Sequence, residues 1–167
     1  EAVEEIKEIQ SEISKKKLFE GKITETENLH LTLKFLGEVD NKQVIEIRDR
    51  LSGIKFEGFK VKLGEVGVFS ESFVKIIWIK LEGEEVLELQ KKIDRALSGI
   101  FKPEFRFMSH ITLVRVKSVK DKKSFLKLLK EIDVKNVEFE VKRFNLMESN
   151  LFPDGPKYNL LENFPLL

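Results

Sequence analysis

His30-Leu31-Thr32-Leu33 and His110-Ile111-Thr112-Leu113 hold both histidines of this 167-residue chain, each at the head of a His-apolar-Thr-apolar tetrad. A strand sends successive side chains to opposite faces, so each His-Thr pair shares one face. Leu31 and Leu33, or Ile111 and Leu113, anchor the other face. The result is a rigid mount for a polar pair. With ordinary residue usage, two such tetrads together are rarer than roughly one in ten thousand by chance.

Outward from the first tetrad, residues 28–36 alternate and predict a half-buried strand. Leu29, Leu31, Leu33 and Phe35 point one way, and His30, Thr32 and Lys34 the other. Before it, Val3, Ile6, Ile9 and Ile13 give residues 1–14 helical spacing, with Lys15, Lys16 and Lys17 complementing the dipole at the end. After it, Asp40 and Gln43 resemble a capping box for a helix with Val44, Ile47, Leu51 and Ile54 in its stripe. Strand-like stretches follow near 59–68 and 73–81.

The order then repeats. Residues 84–98 form a helical pattern closed by Gly99, 107–116 the second His strand, and 120–132 another helix. Strands near 137–148 and 157–164 flank the turn Pro153-Asp154-Gly155-Pro156. Both halves read helix, His strand, helix, strand, strand. The expectation is one α+β domain over 1–167, with two pseudo-symmetric lobes at roughly 1–82 and 83–167. Each lobe has an antiparallel sheet with outer helices, and the tetrads face a central cleft.

Apolar content of 41% and charged content of 35% describe a globular chain, and the net charge of +1 advertises no global affinity for nucleic acid. With no cysteine, a disulfide framework, a thiolate zinc site and a cysteine nucleophile are excluded. The apolar run from Phe73 to Ile79 is too short to span a bilayer. No signal peptide is visible, so the expectation is a cytoplasmic protein with no membrane partner. The chain opens at Glu1 inside a helical pattern without a starting Met, which predicts that a native leading segment is missing.

Paired imidazoles suit phosphodiester hydrolysis. A base must take a proton from water, an acid must protonate the departing alkoxide, and donors must hold the non-bridging oxygens. His30 and His110 meet the first two needs, Thr32 and Thr112 the third, and Lys34 adds positive charge from the same face. A lone strand His is more often a surface residue, but the tandem signature reverses those odds. A metal site would need carboxylates that neither tetrad contains, so no metal or other cofactor is expected.

The stretch Asn28 to Glu38 resembles the first motif region of the 2H phosphoesterase superfamily, in its RNA 2′,3′-cyclic phosphodiesterase branch, long called the 2′-5′ RNA ligase family. His110 to Val116 resembles the second motif. Glu148-Ser149, Gly155-Pro156 and Tyr158 resemble the closing hairpin. The resemblance implies metal-independent opening of a 2′,3′-cyclic phosphate to a 2′-phosphate, on RNA ends with tRNA fragments among them. It also implies reversible 2′-5′ ligation, with a monomer favoured.

Under this resemblance His30 is the proton donor to O3′, His110 the base toward water, Thr32 and Thr112 bind phosphate oxygens, and Arg115 binds substrate; Lys34, by its face, and Tyr158, by its ring, are further substrate-binding candidates. An Arg five residues after the second His is typical of that family. Strict alternation, however, puts Arg115 opposite His110, so that role needs a bulge, a strand end or a long reach. Otherwise Arg115 is a solvated strand-end residue. That family usually begins with a strand that this chain lacks.

Phe69 and Tyr158 are candidate platforms for a terminal base, whereas Trp78 reads as core. The basic runs at 15–17 and 120–123 read most simply as solvated helix ends. The contrasting function is a binding module that holds an RNA end or nucleotide without turnover.

Overall fold

In the computed structural model, which describes residues 1–167, Ile6, Ile9 and Ile13 turn one face of α1 (Ala2–Lys15) into the core. The chain continues through β1 (Phe19–Ile23), α2 (Asn41–Ser52), β2 (Phe59–Val68), β3 (Ile76–Glu82) and α3 (Glu84–Ala96). It ends with β4 (His110–Val119), α4 (Lys122–Glu131), β5 (Glu138–Val141), β6 (Arg143–Phe152) and β7 (Gly155–Pro165). This is the expected α+β class.

Five strands form one sheet in the order β1-β4-β3-β2-β5, and β6 with β7 forms a second. The β1–β4, β4–β3 and β3–β2 pairs are antiparallel. The capping box is present: Gln43 N–H donates to Asp40 Oδ1 at 2.8 Å, and Asp40 N–H donates to Gln43 Oε1 at 3.0 Å. Asp121 caps α4 by accepting from the Ser124 N–H at 3.1 Å. These bonds satisfy helix-end donors that have no partner within the helix.

Two compact units emerge, each assembled from three separated segments. The first contains Glu1–Thr32, Lys62–Glu82 and Met108–Phe139, and the second Leu33–Val61, Gly83–Phe107 and Glu140–Leu167. Both sequence halves contribute to both units, so the units do not coincide with lobes at 1–82 and 83–167. In the first unit, α1 and α4 supply Ile6, Ile9, Ile13, Phe125 and Leu129 to a core shared with Ile77, Ile79, Ile111 and Val114 of the sheet. In the second, α2 meets α3 and β7. Ile47, Leu51, Val86, Leu89 and Ile93 are buried there.

Three strand expectations need correction. The stretch near 137–148 is not one strand but β5 and β6, which lie in different sheets. Residues 28–36 are not a strand; only Leu31 pairs, in an isolated bridge, after a 3-10 turn at Thr26–Asn28. The alternation breaks at Lys34 and Phe35, because the Lys34 side chain is 7% exposed and Phe35 is 84% exposed. The strand unforeseen in the sequence is β1, which borders β4.

Candidate active site

Both tetrads begin in the first unit, which holds all of the second tetrad and the first as far as Thr32. The second tetrad opens β4, where Ile111 and Leu113 are buried and His110 and Thr112 are half-buried. The first lies beside it through the antiparallel bridge between Leu31 and Ile111. In such a pairing the flanking residues also face each other, so His30 falls opposite Thr112 and Thr32 opposite His110. Leu31 and Ile111 join the core, which sends the four polar side chains to the other face.

The two imidazoles are held alike. His30 Nδ1 lies 2.6 Å from the Asn28 carbonyl oxygen, and His110 Nδ1 lies 2.8 Å from that of Met108. A carbonyl only accepts, so each Nδ1 carries hydrogen and Nε2 is left as the working nitrogen. The His30 Nε2 also sits 3.1 Å from Thr32 Oγ1. Phe69 meets the His110 ring edge to face and leans on Trp78, with centroids 5.9 Å apart. Trp78 is 8% exposed, as its core reading predicts.

Arg115 reaches this face by a bulge. Ile77 pairs with Val114 and Trp78 with Thr112, so Leu113 is an extra residue on β4. Leu113 and Val114 are both buried, after which the pattern inverts and Arg115 is exposed. Ile76, Trp78 and Lys80 of β3 alternate onto one face, and their partners are Arg115, Thr112 and His110. The signal was legible in the sequence: the adjacent apolar pair Leu113-Val114 interrupts an otherwise strict alternation. The Asn28 and Met108 carbonyls that orient the histidines left no side-chain signal at all.

Lys34 and Tyr158 belong to the second unit. Lys34 is not displayed beside Thr32 as strand alternation predicted. Its ammonium donates to Asp94 Oδ1 at 2.5 Å and to the Lys102 carbonyl at 2.7 Å, and both side chains of the ion pair are nearly buried. Burial pushes the Asp94 carboxyl up, but hydrogen bonds from Lys34, the Glu104 N–H and Gln90, with the Lys34 charge, outweigh it and hold the carboxyl below its ordinary value. Tyr158 is half-buried on β7, opposite Ser149 of β6.

The chain belongs to the LigT-like phosphoesterase family, whose model matches it twice, over residues 1–78 and 79–158. An RNA 2′,3′-cyclic phosphodiesterase of Methanocaldococcus jannaschii is 37% identical over 96% of this chain and 92% of its own length. One from Thermotoga maritima is 36% identical over 95% and 88%. The crystal structure of the Thermus thermophilus protein TT0787 superposes with a TM-score of 0.81 at 26% identity, covering 99% of this chain and 91% of that one.

Proposed function

We propose that this chain hydrolyses RNA 2′,3′-cyclic phosphate ends to 2′-phosphates, with His30 and His110 as the acid and base. The Leu31–Ile111 bridge carries this reading, because it sets the two tetrads side by side with their polar residues on one face. His30 and His110 are diagonal neighbours across that bridge, a relation that in antiparallel pairs spans about 7–8 Å, somewhat less between Cβ atoms, and that suits two groups acting on one phosphate.

In the step proposed, a water oxygen attacks phosphorus as His110 Nε2 takes the water proton. The bond from phosphorus to O3′ breaks, and His30 Nε2–H protonates O3′. The products are a 2′-phosphate and a 3′-hydroxyl. The hydroxyls of Thr32 and Thr112 and the Arg115 guanidinium hold the non-bridging oxygens. With an RNA 5′-hydroxyl in place of water the same groups perform 2′-5′ ligation: His110 takes the hydroxyl proton, the 5′-oxygen bonds to phosphorus, and the bond to O3′ breaks as His30 protonates it. The setting this reading implies is a cytoplasmic monomer acting on RNA ends. No helix is long and apolar enough to cross a membrane.

The deciding experiment is product analysis on an oligoribonucleotide ending in a 2′,3′-cyclic phosphate. A 2′-phosphate product is expected. Stoichiometric binding without product would replace hydrolysis with the binding-module reading.

A further inference from the structure

Gln10 lies inside the apolar stripe of α1, between Ile6, Ile9 and Ile13, and is only 5% exposed. An amide at a core position is costly unless its donors are met. Here Nε2 donates to two carbonyls at once, Thr24 at 3.0 Å and Leu113 at 3.0 Å. The Leu113 carbonyl also accepts from the Thr24 N–H at 2.9 Å. Leu113 is the extra residue of the β4 bulge, and Thr24 directly follows β1.

A carbonyl oxygen has two lone pairs, and that of Leu113 uses one for the Thr24 N–H and the other for Gln10, which ties the bulged residue to α1 as well as to the chain beyond β1. Gln supplies two N–H groups from one nitrogen, at the reach this spacing demands. Glu would present only acceptors to two carbonyl oxygens, and Leu or Ile would present nothing. Of these, only Gln closes both bonds.

The bulge has a consequence two residues on, where Arg115 is carried to the face of His110 and Thr112. Without the extra residue, alternation would return Arg115 to the core side. We propose that Gln10 is a positioning residue for the reaction: from behind the sheet it holds the Leu113 bulge that aims Arg115 at the phosphate. The proposal rests on the reading of Arg115 as a phosphate ligand. His110 and Thr112 precede the bulge and do not depend on it.

The test is a double-mutant cycle on the full chain with Gln10→Met, Arg115→Ala and the double variant. It reads inhibition by inorganic phosphate and kcat/KM on a cyclic-phosphate-ended oligoribonucleotide. Arg115→Ala is expected to weaken phosphate inhibition about tenfold or more, and Gln10→Met about five- to tenfold. The double variant should be no weaker than Arg115→Ala within about twofold, the non-additivity of residues acting through one another. Both limbs of the pH profile should stay where they are in Gln10→Met.

Should Gln10→Met fail to fold, Gln10→Leu makes the same comparison, because it fills the space and offers neither carbonyl an N–H. Wild-type phosphate affinity in the Gln10 variant, or fully additive losses, overturns the proposal. Unchanged affinity in Arg115→Ala instead removes the Arg115 reading, and this proposal with it. Coupled phosphate binding without any turnover would leave the inference standing and sink the hydrolase.

Discussion

Phe69 meets His110 edge to face, with ring centroids 5.2 Å apart and planes at 89°. Phe69 remains 56% exposed, so a π-face is open beside the imidazole. Behind it Trp78 lies across Gly67, where a Cβ would come within 2.5 Å of the indole. An open ring backed by rigid packing is a platform for a terminal base, and such stacking is worth about 1–3 kcal/mol. Phe69→Ala is expected to raise KM for a base-bearing cyclic phosphate about tenfold, with kcat within about twofold. Steady-state kinetics on a base-free cyclic phosphate provide the control. A KM increase of the same size on both substrates would remove the base from the explanation.

The proton-transfer roles proposed for His30 and His110 predict losses of a different kind. Replacing either by Ala should lower kcat by about 10²–10⁴-fold, the usual contribution of a positioned acid or base. The wild-type pH–rate profile should be bell-shaped, since one ring must be protonated and the other neutral. Each variant should lose one limb. Dialysis against a chelator should leave the wild-type rate unchanged. A rate restored only by a divalent cation would mean that the imidazoles serve some other chemistry.

What could be read from the sequence was what repeats locally. Four helices followed from stripes such as Val86-Leu89-Ile93, and the capping box from Asp40 and Gln43, because these patterns act within a turn or two of chain. Missed features depend on distant partners. The Phe35 side chain left the expected strand because Lys34 is drawn to Asp94, sixty residues away. β1 carries no clear pattern because Phe19-Glu20-Gly21-Lys22-Ile23 has a glycine at its centre, which weakens a strand signal. Gln10 was visible as a polar residue in an apolar stripe, but its partners Thr24 and Leu113 were not. The two tetrads stand out as a repeated motif, although only the second opens a strand, and their i−2 carbonyl partners depend on backbone direction alone.

Gly21 is expected to be nearly irreplaceable. A Cβ there would stand 2.3 Å from the Arg115 carbonyl oxygen and 3.0 Å from the Val116 Cα. Both are backbone atoms of β4, so neither can swing aside as a side-chain end would. Gly21→Ala should force β1 away from β4 and destabilise the chain by about 1–3 kcal/mol, as overpacking does. Denaturant unfolding measures that loss. Phosphate inhibition of the folded fraction should weaken as well, because Arg115 is the residue crowded. A variant of wild-type stability would mean that β1 tolerates a separation this packing does not provide.

The Lys34–Asp94 pair predicts a pH-dependent stability. The Asp94 carboxyl is held below its ordinary value, so its contribution is complete above that value, about 4, and is lost as pH falls through the lowered one. Asp94→Asn leaves the buried Lys34 charge without its counterion, which typically costs about 3–5 kcal/mol. Thermal midpoints of wild type and Asp94→Asn should therefore differ most between about pH 5 and 8, and converge as acid protonates the wild-type carboxyl. A gap that is constant down to about pH 3, below the ordinary carboxylate value, would show that the carboxylate charge is not what matters. Lys34→Met offers the complementary reading. Because the ammonium is occupied by Asp94 and the Lys102 carbonyl, this variant should lower the midpoint while KM for the cyclic phosphate stays within about twofold. A large rise in KM without loss of stability would restore Lys34 to the substrate-binding role that strand alternation suggested.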